Sequence, residues 1–180
     1  MLCYGGKELA RAYRTVRGNT IKTIEEIPES QLDFSAAPGT RTVRQLATHI
    51  ALTDAWSGVH KEKRTSFDGL NFPELVGQMM AEEQKSRTKA ELLAMLKERG
   101  ETTAAWLESL NDEFLAEPFN QPPGTEPAQK TRFEMIMGMK EHEMHHRAQL
   151  MLIQRLIGQV PHLTRAQQER WAAASAQQRA

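Results

Sequence analysis

The sequence predicts an all-α fold, a four-helix bundle, and three observations carry that reading. The apolar residues are lopsided: 21 Ala, 17 Leu and 9 Met stand against 5 Val and 7 Ile, so strong helix formers dominate and β-branched residues are scarce. Four long segments repeat their apolar residues at spacings of three and four, the signature of an amphipathic helix. Three of the four open with Ser/Thr-x-x-Glu/Gln, in which two side chains satisfy backbone N–H groups that a helix start leaves unpaired. Sheet-based nucleotide-binding folds are disfavoured, since neither GxGxxG nor GxxxxGK[ST] occurs.

The first segment runs from about Lys7 to Ile27, with Leu9, Tyr13, Val16, Thr20, Ile24 and Ile27 on one face and Pro28 ending it. Pro38-Gly39 marks a turn in the connection that follows. The second helix is capped by Thr42 and Gln45, carries Val43, Leu46, Ile50 and Ser57 on one side, and is expected to continue to about Glu62. Residues 64–87 are the least regular: loop, with room for a short helix between Pro73 and Ser86, and either a functional loop or a plain crossover. The third helix is capped by Thr88 and Glu91 and turns Leu92, Leu96, Thr103, Trp106 and Leu110 inward. Four prolines between 117 and 130 exclude a continuous helix there. The fourth runs from the cap at Thr131 and Glu134 to about Gly158, and strand content is expected to be negligible. A bundle domain over residues 1–163 is expected, then a short additional C-terminal helix and frayed tail over 164–180, opened by Thr164 and Gln167.

Composition narrows the function. At 180 residues the chain has length for one domain, or at most two small ones, with 23 basic and 23 acidic residues and a formal net charge of zero. No basic excess indicates a nucleic-acid partner, so none is expected. Cys3 stands alone, which excludes an intramolecular disulfide and a cysteine-only metal cluster. No apolar run approaches a membrane span and the first residues lack an apolar signal core, so a cytoplasmic location with no membrane partner is expected.

The chemistry lies in the histidines. Three of six fall in Glu141-His142-Glu143-Met144-His145-His146 on the fourth helix. At 100° per residue, His146 falls near the centre of the face carrying Met135, Met139, Leu150, Ile153 and Ile157, with His142 near its edge and His145 about 100° away. Two inward imidazoles one turn apart can hold one metal ion. The run also matches the zinc-protease pattern H-E-x-x-H, which would make Glu143 a general base, but no third ligand follows downstream. Glu143 is therefore a base candidate set against a solvated or supporting carboxylate, and His49 is the one histidine well inside another long helix. Gln149, one turn on, is placed to contact substrate or buttress a ligand; Asp54, Trp56 and Arg147 read as polar, packing and surface residues.

Two stretches, Thr42-Val-Arg-Gln-Leu-Ala-Thr-His49-Ile50 and His142-Glu-Met-His-His146-Arg-Ala-Gln149, resemble the DinB/YfiT-like family of metalloenzymes, and the resemblance covers about residues 7–158. It implies an up-down-down-up bundle in which one His from the second helix and two from the fourth bind one divalent metal; here these are His49, His142 and His146. Ala148 stands where the family often has Gly. The resemblance also implies a homodimer, and its members include hydrolases and bacterial thiol S-transferases.

Three neutral imidazoles leave a metal its full charge and an open position, an arrangement of catalytic type. Such an ion lowers the pKa of a bound water or thiol, so two chemistries follow for a small-molecule substrate: hydrolysis, or transfer of a low-molecular-weight thiol. The ion is expected to be Zn, Ni, Fe or Mn, with Zn or Ni preferred. The alternative is a non-catalytic, metal-stabilised binding or stress-response module. His60, His145 and His162 are expected to be dispensable for the metal.

Overall fold

The computed structural model describes residues 4–178, so Cys3 and the last two residues of the tail lie outside what is described. Among the described residues eight α-helices form: α1 (Gly6–Glu26), α2 (Val43–Leu52), α3 (Ser57–Lys61), α4 (Phe72–Glu83), α5 (Lys89–Glu108), α6 (Asp112–Ala116), α7 (Arg132–Leu156) and α8 (His162–Gln177). The capping boxes at Thr42, Thr88 and Thr131 all form, each threonine accepting from the backbone N–H three residues on.

α1, α2, α5 and α7 make the bundle, and the ends that meet set its directions. Lys89 at the start of α5 reaches the Glu25 carbonyl at the end of α1, so these helices run oppositely. α1 and α7 run together, with Tyr4 against Phe133 at one end and Gln154 near Glu26 at the other. α2 and α5 also run together: Arg44 meets the Arg87 carbonyl just before α5, and Asp54 just past α2 meets Arg99 further along it. The order is up-down-down-up. α1 and α2 sit diagonally, each packed against α5 and α7. Because α2 and α5 are parallel, the chain must travel the length of the bundle between them, and α4 forms in that crossover against α2.

The core has two apolar halves. Ile24, Ile27, Val43, Leu46, Leu96 and Ile153 belong to one, and Leu9, Tyr13, Ala104, Leu107, Leu115 and Ile136 to the other. Between them lies a buried polar layer. Arg17, 4% exposed, donates to Glu143, 0% exposed, through Nε at 3.0 and 3.1 Å and through Nη2 at 3.0 Å. Its remaining donors go to the Leu96 carbonyl, the Tyr13 hydroxyl and the Ile50 carbonyl, so one guanidinium ties all four bundle helices. Gly100 makes room for it: a Cβ there would fall 2.8 Å from Arg17 Cγ.

Three details refine the expectations. The second helix does not run unbroken to Glu62; Thr53–Trp56 form a 3₁₀ turn before α3. There the Thr53 N–H bonds the Ile50 carbonyl, while the Thr53 and Ser57 hydroxyls donate to the carbonyls of His49 and Asp54. Hydroxyl back-bonding of this kind competes with the α-helical ladder. The proline-rich segment returns as a small antiparallel ladder, Pro118–Asn120 (β1) with Gln129–Thr131 (β2), which buries Phe119. The last helix starts at His162, where the Pro161 carbonyl accepts from Thr164 and Arg165, and it spans 16 residues. Among the described residues, no helix is long and apolar enough to cross a membrane.

Candidate metal centre

α2 supplies His49, and α7 supplies His142 and His146 one turn apart. Antiparallel α2 and α7 bring the three rings together: His142 Nε2 lies 3.1 Å from His49 Nε2 and 3.1 Å from His146 Nε2. No other His, Cys, Asp or Glu among the described residues joins them.

Every Nδ1 faces away from this point and has its own partner. Glu83 Oε1 accepts from His49 Nδ1 at 2.7 Å, and Gln149 Oε1 accepts from His146 Nδ1 at 2.8 Å. Thr53 Oγ1 is 3.3 Å from His142 Nδ1; its proton goes to the His49 carbonyl, so it accepts from the ring. These partners place each ring proton on Nδ1 and leave a lone pair on each Nε2. Burial holds all three histidines below the ordinary imidazole range, His142 to about 4; the Glu83 carboxylate pulls His49 the other way, but burial dominates. Three neutral rings with converging lone pairs repel one another, and a shared cation relieves that. The spacing also suits one: zinc–imidazole bonds of about 2.0–2.1 Å at tetrahedral angles separate nitrogens by roughly 3.3 Å. The residues fit a divalent metal.

His145 is exposed, 3.3 Å from Gln149 Nε2. His60 packs against Arg132, and His162 against Asn19. Glu143 is neither solvated nor among the converging groups: its side chain enters the core and is held by Arg17. Arg147 is half-buried, and Asp54 pairs with Arg99 at 2.6 Å.

Glu83 and Arg17 support the site from positions that the histidine spacing does not single out. Glu83 sits in the segment expected to be irregular, and with Met79 it is one of two buried residues of α4; no spacing in the sequence marks it. Arg41 holds it, with Nε donating to Glu83 Oε2 at 2.6 Å. Arg17 lies on the α1 stripe, one turn after Tyr13 and between Val16 and Thr20, and Glu143 lies on the inner side of α7. A charge on each of two apolar stripes is a signal for a buried pair.

The centre opens on a cleft of about 740 Å³ whose walls include Arg41, Gln45, Glu83, Gln84, His146 and Gln149. A second recess of about 330 Å³ is bounded by His49, His142, Trp56, Met79 and Met80.

Solved structures with this architecture include YfiT of Bacillus subtilis, at 20% identity and a TM-score of 0.66, with 86% of this chain and 88% of that one covered. YfiT is described as a "probable metal-dependent hydrolase with an unusual four-helix bundle topology". A DinB-like protein of the same organism matches at 21% identity and a TM-score of 0.62, covering 85% of this chain and 93% of that one. The colibactin self-resistance protein ClbS, solved with double-stranded DNA, matches at 20% identity and a TM-score of 0.61, covering 86% and 98%. A search of the curated proteins finds no match. At such identities the solved structures speak for the fold; the profile of the DinB family, however, matches residues 2–180, which is nearly the whole sequence, and the chain belongs to the DinB family.

Proposed function

We propose that His49, His142 and His146 hold one divalent ion, Zn or Ni before Fe or Mn, and that the protein is a metal-dependent enzyme joining a low-molecular-weight thiol to a small electrophile. The observation that carries this reading is the convergence of three neutral Nε2 atoms beside an open cleft, with no fourth protein ligand among the described residues. When bound, the ion supplies a Lewis-acidic position that favours the anionic form of a thiol or water. Glu83, Gln149 and Thr53 fix the ring orientations. The equal numbers of acidic and basic residues favour a small molecule over a nucleic acid.

Thiol transfer is preferred to hydrolysis because hydrolysis is helped by a positioned base. Glu143, the sequence's candidate, spends its carboxylate on Arg17, and Glu83 spends its own on His49 and Arg41. The second reading, a hydrolase, is favoured by the description of YfiT. The test is metal-loaded protein incubated with a model electrophile and a panel of thiols, beside ester and amide substrates. Metal-dependent conjugation lost in His146→Ala supports the transferase; thiol-independent hydrolysis supports the hydrolase; no turnover of either kind with metal bound contradicts the enzyme reading.

A further inference from the structure

A third cavity, of about 200 Å³, shares Trp56 and His142 with the second recess and has Thr53, His60, Phe67, Gly138 and Met139 in its other walls. It is almost wholly apolar. Phe67 packs edge-on against Phe119 at 4.9 Å and Phe72 at 5.5 Å, which fixes one aromatic wall. Thr53 is already committed to His142 and the His49 carbonyl.

His60 is the exception to that apolar lining. It is 4% exposed, and its Nδ1 lies 3.4 Å from Arg132 Nη1. A guanidinium donates and never accepts, so Nδ1 carries the lone pair and Nε2 carries the proton. Nε2 has no hydrogen-bond partner among the described residues, yet it is not one of the sealed polar atoms of the interior. A buried, neutral imidazole thus keeps one free N–H donor in the wall of an apolar pocket that also contains a metal-ligand ring.

Gly138 points the same way. It lies inside α7, one turn before His142, where glycine is a poor helix former. A Cβ built there meets nothing within 4 Å, so packing does not require glycine. Its absence of side chain leaves the pocket open.

We infer that this pocket receives the electrophilic substrate of the proposed reaction, a compact ring bearing one hydrogen-bond acceptor, with His60 Nε2–H donating to that acceptor beside His142. The volume sets the scale: an apolar cavity of about 150 Å³ takes benzene, so about 200 Å³ admits one ring with a small substituent. The polar cleft at Arg41 is left to the thiol. The inference rests on the proposed enzyme reading for the word substrate, while the pocket and its donor stand on their own geometry.

The experiment is calorimetric and NMR titration of zinc-loaded protein with acetophenone and with ethylbenzene, similar rings with and without an acceptor. Acetophenone is expected to bind about five- to tenfold more tightly, the worth of roughly one buried hydrogen bond. That preference should vanish in His60→Leu and persist in His60→Gln, which keeps an N–H donor. Gly138→Leu should block both probes while leaving the metal bound, and it covers the case in which His60→Leu does not fold. Equal binding of the two probes by wild type, no binding of either, an unchanged preference in His60→Leu, or full binding in Gly138→Leu would each overturn the inference. Since no turnover is measured, a His60-dependent preference survives failure of the thiol and hydrolysis assays, and turnover without that preference removes the pocket alone.

Discussion

Replacing Glu143 by Gln separates the two roles this residue could have. The substitution preserves shape and removes the charge facing Arg17. Both side chains are buried, with three contacts of 3.0–3.1 Å between them, so the variant leaves a guanidinium uncompensated in the core. Breaking such a pair costs about 3–5 kcal/mol, or roughly 6–20 °C in melting temperature for a chain of this size. Arg17→Met should cost a similar amount, since it strands the carboxylate and removes the donor to Tyr13 and two carbonyls. The double variant carries neither charge and should cost less than the sum of the singles, with a coupling of about 2–3 kcal/mol. The assay is denaturant unfolding of the four proteins, with turnover measured per folded, metal-loaded molecule. Turnover in Glu143→Gln should stay within about tenfold of wild type, well short of the 10²–10⁴-fold loss expected of a missing general base. Additive single costs would refute the holding role, and unchanged stability with collapsed turnover would also restore Glu143 as a base.

Other outcomes follow from the same contacts. Glu83→Gln should weaken metal affinity about 10- to 100-fold in a chelator competition, because the charge behind His49 Nδ1 is lost while the fold remains. Gly100→Ala should lower the melting temperature despite its better helix propensity, since the added Cβ meets the Arg17 stem. His60 is held neutral, its pKa lowered to about 4 by burial first and then by Arg132, itself paired with Glu117. The unfolded chain therefore takes up this proton first as pH falls from about 6.5 toward 4, so stability drops through that window, by about 3 kcal/mol from this group. Metal-free His60→Gln should show a correspondingly shallower acid slope in unfolding experiments; an unchanged slope would count against a neutral, buried His60.

The parts of the fold that local chemistry decides were legible in the sequence. Capping pairs such as Thr131 and Glu134 mark helix starts through contacts three residues apart, and the α7 stripe places His146 inward and His145 outward by angle alone. What depends on partners distant in sequence was hidden. The break after Leu52 arises from hydroxyls that bond backward, one of which also serves His142. Glu83 acquires its meaning from α4 lying against α2, a packing that no periodicity in residues 64–87 announces. The pair of Arg17 and Glu143 spans 126 residues; each charge could be seen on its stripe, but that they meet is a property of the bundle's wiring.

The metal centre proposed at His49, His142 and His146 is open to direct test. Elemental analysis of protein purified without a tag, in wild type and in the four variants His49→Ala, His142→Ala, His146→Ala and His145→Ala, tests it most directly. One equivalent of divalent metal per chain is expected in wild type and in His145→Ala, and loss of stoichiometric metal in the other three. Metal lost from His145→Ala, or a full equivalent kept by His49→Ala, His142→Ala or His146→Ala, would contradict it.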